Sequence, residues 1–183
     1  MRTGYLVVAT MALVVAGGMI SNPALRPWRE TVPDLSPPAR SGHEVVAILL
    51  ISENCAAARD PNFRRLVPSL MSNLKRQVTS TGARFVSVGV LVGPNTFNSR
   101  RFIAGVAGFD ELVIGSGFLN TAAVQYVWRD QGGPAEIPQM VLLSRNIEVV
   151  QNAIRVSPDS ILFRLSGSAD ILRWGKAGAP LGP

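Results

Sequence analysis

The hydrophobic and polar positions of the chain predict a buried strand that leads through a polar elbow into a long amphipathic helix. Residues 45–52 form a short apolar run that is typical of a strand buried on both faces of a parallel sheet. After residue 60, apolar residues recur at intervals of three and four, which predicts one hydrophobic helix face made of Phe63, Leu66, Val67, Leu70, Met71, Leu74 and Val78. Asp60 is the predicted N-cap, Pro61 the first helical residue, and Gly82 the end of the pattern. Pro68 lies inside this helix but off its apolar face, which predicts a kink.

Further along the chain, strand and helix patterns alternate, which predicts an α/β fold. Strands are predicted at residues 84–92 and 109–114, and helices at residues 97–106 and 119–128, the second with Asn120 as a possible cap. Ser157, Pro158 and Asp159 predict the start of another helix, and residues 171–174 add an apolar turn. The pattern gives one domain at residues 44–175 and a disordered tail at residues 176–183.

The elbow after the first strand carries the only cysteine of the chain, in the stretch Ile51-Ser52-Glu53-Asn54-Cys55. A second notable stretch is Ile137-Pro138, which is followed by the apolar run Met140-Val141-Leu142-Leu143 and then by Asn146. Together with Pro68, these stretches resemble the thioredoxin superfamily over residues 44–155, and the segments between them are similar to its membrane-tethered, cytochrome-maturation-type branch. The resemblance implies a three-layer α/β/α sandwich with a mixed central sheet. It also implies a cis peptide bond at Pro138 and a substrate groove formed by Ile137 and Pro138. After the proline it implies strands at residues 139–143 and 147–150, joined by a tight turn at Asn146.

The elbow departs from the family at the second active-site position. The family has a Cys-x-x-Cys pair, whereas this chain has Cys55-Ala56-Ala57-Ala58. Counting forward from the strand places the family's first cysteine at Cys55, whereas counting back from Pro68 places it near Asp60. By this count the elbow contains about five residues more than the family's, and neither register has a second thiol. A reaction in which one thiolate attacks and a neighbouring thiol releases the mixed disulfide cannot run within this chain.

Cys55 is the candidate catalytic residue, and three functions remain open for it. Free N–H groups at a helix start would stabilise its thiolate, while Glu53 would oppose this and Asn54 is a second possible modulator. One function is a single-cysteine thiol-disulfide oxidoreductase with an external resolving thiol. The others are a redox-silent scaffold that binds a polypeptide or small ligand in the groove, and a one-cysteine peroxidase. Peroxiredoxins have the pattern Pro-x-x-x-Thr/Ser-x-x-Cys before their reactive cysteine. The peroxidase lacks support because Ala47 and Ile48, eight and seven residues before Cys55, are not proline.

The first 20 residues predict a membrane anchor or a signal segment. Residues 5–20 are apolar and uncharged, slightly short for a span of about 20 residues and near the upper length of a signal-peptide core. Residues 16–18 are small enough for cleavage, so secretion after signal cleavage stays open beside a single-pass anchor. Arg2 favours a cytoplasmic N-terminus, which would place the domain on the extracytoplasmic, periplasmic side. Residues 21–43 contain five prolines and predict an extended linker.

Charge and composition argue against several other classes. The net charge is +6, but the arginines are scattered and not interleaved with aromatic residues, so no nucleic-acid partner is expected. His43 is the only histidine, and no metal site is expected. The Gly115-Ser116-Gly117 stretch is not followed by the lysine of a phosphate loop, and no cofactor is expected.

Overall fold

The computed structural model describes residues 40–93, 98–115, 120–129, 136–151 and 153–181. The predicted anchor or signal segment and nearly all of the linker lie outside these residues. In the part of the chain that is described, no helix is both long enough and apolar enough to cross a membrane.

Six strands of the described chain form one mixed sheet in the order β3-β2-β1-β4-β5, and β6 also pairs with β4. Their bounds are β1 Gly42–Ile51, β2 Arg84–Leu91, β3 Glu111–Ile114, β4 Gln139–Val150, β5 Ala153–Val156 and β6 Ser160–Ser166. Strands β1, β2 and β3 run parallel, and β4 runs antiparallel to β1. The other edge of β4 is shared, since β6 pairs with its first half and β5 with its last four residues.

Helices cover both faces of this sheet. Their bounds are α1 Ala56–Arg59, α2 Pro61–Ser80, α3 Ser99–Ala104, α4 Thr121–Ala123 and α5 Gly167–Lys176, and α4 continues as a π-helix over Val124–Arg129. On one face of the sheet, apolar residues of the strands pack against α2, α3 and α5 to form a first hydrophobic core. On the opposite face, strand residues pack against Ala122 and Ala123 of α4 to form a second core. The chain therefore folds as a mixed α/β domain with its core on both sides of β1.

The prediction for the long helix is confirmed at its start, at its end and along its buried face. The Asp60 side chain accepts a hydrogen bond from the Asn62 N–H at 2.8 Å, and Pro61 is the first helical residue. Six of the seven predicted apolar residues are buried, and Leu66 is half-buried. Pro68 lies within the helix on its exposed side, and Gly82 follows the helix end with φ of 81°. Asn120 caps α4 through its side-chain oxygen, as predicted.

Two predictions for the second half of the chain are wrong. Asn146 is not in a turn, because β4 continues through it while pairing with β1 as far as Gly42, and the chain turns at Gln151 instead. The helix predicted from Ser157 is strand β6, since its residues pair with β4 from Gln139 to Ser144. In both places, pairing with a distant strand overrides a local turn or helix signal.

The C-terminal segment differs from the disordered tail that was predicted. Residues up to Lys176 belong to α5, and Ala179 is buried in the first core. The Gln77 side-chain amide donates to the carbonyl oxygens of Gly178 and Ala179 at 3.0 and 3.1 Å. The segment as far as Leu181 is thus held against α2, because α2 supplies both an apolar surface and a hydrogen-bond donor.

Candidate thiol site

Cys55 lies in a tight elbow immediately after the central strand β1. Its N–H donates to the Ser52 carbonyl oxygen and its own carbonyl accepts from the Ala58 N–H, both at 3.0 Å. These two bonds close successive turns, so the side chain is fixed at the start of the single-turn helix α1. The long helix α2 starts only at Pro61 and has Asp60 as its N-cap, so its free N–H groups do not lie at the sulfur.

The fold brings Cys55 next to Ile137, 82 positions away in the sequence. The Cys55 Sγ lies 3.4 Å from the Ile137 carbonyl oxygen, within the range of a weak S–H donor. This contact arises because β4 runs antiparallel to β1, with Gln139 opposite Leu50, so the end of β1 and the start of β4 lie at one rim of the sheet. The Ile137–Pro138 peptide bond is cis.

Cys55 and Ile137 lie where the two hydrophobic cores approach the same rim. Cys55 is half-buried and packs against the first core, whereas the half-buried Ile137 packs against the second. Pro138 is buried, and its carbonyl oxygen accepts from the Gly167 N–H at 2.9 Å. A ligand at this rim would therefore contact the Cys55 sulfur and Ile137. Pro138 would not contact it, because its side chain is buried, but would hold the backbone next to Ile137 in place.

A polar network lies directly behind this rim, and the sequence analysis missed it. The fully buried Gln139 accepts from Arg164 at 2.9 Å, and Arg164 also donates to the Tyr126 carbonyl oxygen at 2.6 Å. Burial lowers the pKa of Arg164. The network ties the first residue of β4 to β6 and to the π-helix. Its only sequence signal is Gln139 itself, a polar residue that opens an otherwise apolar strand.

The Tyr126 side chain extends this network. Its hydroxyl donates to the Asp159 carboxylate at 3.3 Å. Burial raises the pKa of Tyr126 to about 12, and the nearby Asp159 charge adds to this shift. The phenol therefore stays neutral and keeps its proton for Asp159 well above neutral pH.

Glu53 and Asn54, the two predicted modulators, border a cavity beside the elbow. We call it the arginine cavity, and it is lined by Glu53, Asn54, Ala58, Arg59, Arg64 and Phe102, with a volume of about 470 Å³. Asn54 is exposed, and Glu53 is half-buried. The cavity thus begins at the residue next to Cys55 and extends towards α2 and α3.

Metal ligands do not gather at this rim. Among the described residues, no group of three or more histidine, cysteine, aspartate or glutamate side chains could hold a metal ion. His43 is exposed near the opposite end of β1, where its Nδ1 lies 3.3 Å from the Asn146 side-chain oxygen.

Comparison with known proteins adds no assignment. No family model matches the chain, and neither the curated proteins nor the solved structures contain a significant match.

Proposed function

We propose that this protein is a thioredoxin-like thiol-exchange protein in which Cys55 is the reactive residue. The observation that carries the proposal is the 3.4 Å approach of the Cys55 sulfur to the Ile137 carbonyl oxygen at the rim shared by β1 and β4. The strand order supports it, since β1 lies between a parallel β2 and an antiparallel β4, and the chain leaves β1 through the elbow into a long helix. The proposal rests on this geometry and on the sequence resemblance.

The proposed location is the extracytoplasmic side of the cell membrane. The support is the apolar segment at residues 5–20, the basic residue Arg2 before it and the proline-rich linker that leads to β1. An oxidising compartment supplies disulfides on which a lone thiol can act.

The proposed reaction is an exchange of sulfur–sulfur bonds in two steps. The Cys55 thiolate attacks one sulfur of a partner disulfide, so that a bond forms between Cys55 and the partner while the partner's own sulfur–sulfur bond breaks. The released partner sulfur leaves with the electron pair and takes a proton from water. An external thiol loses its proton to water, and its thiolate attacks the mixed disulfide, bonds to the partner sulfur and releases Cys55 as a thiolate. The external thiol is required because the chain has one cysteine.

The rim also suits an extended polypeptide segment. Ile137 precedes β4 and is half-buried, so part of its surface is open to a partner. As the family resemblance implies, backbone groups beside Pro138 can pair with an extended segment of a partner, and this pairing needs no thiol. Binding would place a partner disulfide beside Cys55 before the exchange begins.

The test is the concentration dependence of exchange with a peptide that contains an intramolecular disulfide. Binding before reaction predicts that the rate at which the full-length protein forms the mixed disulfide, followed by mass spectrometry, saturates as peptide concentration rises. The matched control is the double variant Cys55→Ser, Ser80→Cys, which moves the only thiol to the exposed end of α2. Its rate should rise linearly. Linear kinetics for the wild-type protein, or no mixed disulfide, would contradict the thiol-exchange proposal.

The absence of a second thiol in Cys55-Ala56-Ala57-Ala58 favours one other candidate, a redox-silent binding scaffold that uses the same groove. For a scaffold, the peptide binds equally well to the wild-type protein and to Cys55→Ser, and the wild-type protein forms no mixed disulfide.

A further inference from the structure

The arginine cavity begins one residue before Cys55 and therefore borders any partner that reacts there. Glu53 and Asn54 precede the sulfur in the chain, and Ala58 and Arg59 come from α1, which follows it. Arg59 lies four residues after Cys55, which corresponds to a rise of about 6 Å along a helix. In an extended partner, the same distance spans about two residues.

The two arginines of this cavity have unused hydrogen-bonding capacity. Both side chains are exposed. Within the described residues, Arg59 has no hydrogen bond or ion pair through its side chain, and Arg64 donates only to the Gly105 carbonyl oxygen, at 3.2 Å. A guanidinium group has five N–H donors in a planar fork. Each arginine can thus still accommodate a carboxylate.

The surroundings of the cavity favour an anion. Its lining has two positive side chains against one negative, Glu53, and Glu53 already interacts with another group. Asp60, the carboxylate that follows Arg59 directly in the sequence, is engaged as the cap of α2. Arg100 and Arg101 are exposed on α3, the helix that contributes Phe102 to the lining. The whole chain has a net charge of +6, which attracts acidic partners over a longer range.

We propose that the arginine cavity binds an acidic side chain of the partner polypeptide, located within about two residues of the partner's reactive cysteine. This inference rests on the proposed thiol exchange and specifies its substrate class as polypeptides with aspartate or glutamate next to the cysteine. Carboxylates suit the cavity because guanidinium groups bind them through two parallel hydrogen bonds. The apolar ring of Phe102 can support the methylene groups of the same side chain.

The experiment separates binding from exchange by using the full-length Cys55→Ser variant in a non-ionic detergent. Two fluorescent peptides are compared by anisotropy, identical except that glutamates flanking a central serine in one are lysines in the other. The acidic peptide should bind about tenfold more tightly, as expected for two exposed charge contacts, and the preference should shrink at high salt. Adding Arg59→Glu and Arg64→Glu should reverse the preference.

The matched control is Arg155→Glu, which changes an exposed arginine on β5. It should preserve most of the preference for the acidic peptide. Equal binding of the two peptides, or an equal loss of preference in Arg155→Glu, would overturn the inference.

Exchange rates of the wild-type protein with disulfide forms of the same two peptides then separate two claims. The first is that Cys55 exchanges disulfides, and the second is that the arginine cavity selects acidic partners. Saturable exchange that is faster with the acidic peptide supports both. Saturable exchange at equal rates overturns the role of the arginine cavity and leaves thiol exchange intact. No exchange with either peptide overturns the thiol function and, with it, the substrate class.

Discussion

Replacing both arginines that contact Glu44 should destabilise the domain by more than the sum of the two single replacements. The Glu44 side chain is 1% exposed and forms ion pairs with Arg84 and Arg145. The three residues lie directly opposite one another on β2, β1 and β4. Arg145 approaches Glu44 to 2.6 Å and is 26% exposed, whereas Arg84 is 52% exposed.

The magnitudes follow from burial. Arg84→Met removes a half-exposed and well-screened pair and should cost about 0.5–1 kcal/mol. Arg145→Met removes a more buried, charge-assisted hydrogen bond and should cost about 1.5–2 kcal/mol. In each single variant the other arginine still compensates the buried carboxylate. The double variant leaves that carboxylate without a cationic partner, which should cost about 3–5 kcal/mol.

The assay is urea unfolding followed by far-ultraviolet circular dichroism, with the free energy of unfolding extrapolated to water. Arg173→Met is the control, since it removes an exposed pair with Asp170 in which the two side chains are 79% and 47% exposed. It should cost less than about 0.5 kcal/mol. A double-variant loss that equals the sum of the single losses to within about 0.5 kcal/mol would show that the two arginines do not share Glu44.

Two further predictions concern the packing of β2 and the buried phenol. Gly89→Ala should destabilise the domain by about 1–3 kcal/mol, because a Cβ there would lie 2.6 Å from the Phe109 ring, whereas Gly42→Ala, with open space around it, should be nearly neutral in urea unfolding. A free energy of unfolding for Gly89→Ala equal to that of the wild-type protein would refute the close packing of Phe109 over Gly89. The folded pKa of Tyr126 is about 12, above the unfolded value of 10.0, so its contribution to stability is complete below pH 10 and is lost as the pH rises through 12. Phenolate absorbance of the wild-type protein minus that of Tyr126→Phe should show this late titration, and Asp159→Asn should move it towards lower pH; a midpoint near 10 would contradict the burial.

The long helix could be predicted from the sequence because its signals are local. Asp60 and Pro61 mark the start, Gly82 marks the end, and the apolar spacing identifies the buried face. The same reasoning failed at Asn146 and at residues 157–165, where local turn and helix signals were overridden by pairing between β4 and its neighbours. Residue spacing within a segment contains no information about which distant strand will pair with it.

The candidate site likewise has one part that local sequence patterns predict and another that depends on pairing between distant strands. Cys55 could be located because it follows an apolar run, but its approach to Ile137 depends on the antiparallel pairing of β1 with β4. Only the family resemblance linked the two stretches in advance. The Gln139–Arg164 network joins three elements that are far apart in sequence, so its assembly could not be predicted from local patterns.

The central claim, that Cys55 and Ile137 share one reactive rim, can be measured directly by nuclear magnetic resonance. Ile137–Pro138 is the only Ile–Pro pair in the sequence, so labelling isoleucine carbonyls with ¹³C and proline nitrogens with ¹⁵N isolates one signal. The account predicts that this carbonyl signal shifts when Cys55 forms a mixed disulfide with a bound peptide, and that Cys55→Ala shifts it in the absence of peptide. A signal that stays unchanged in both experiments would contradict the contact and the function proposed from it.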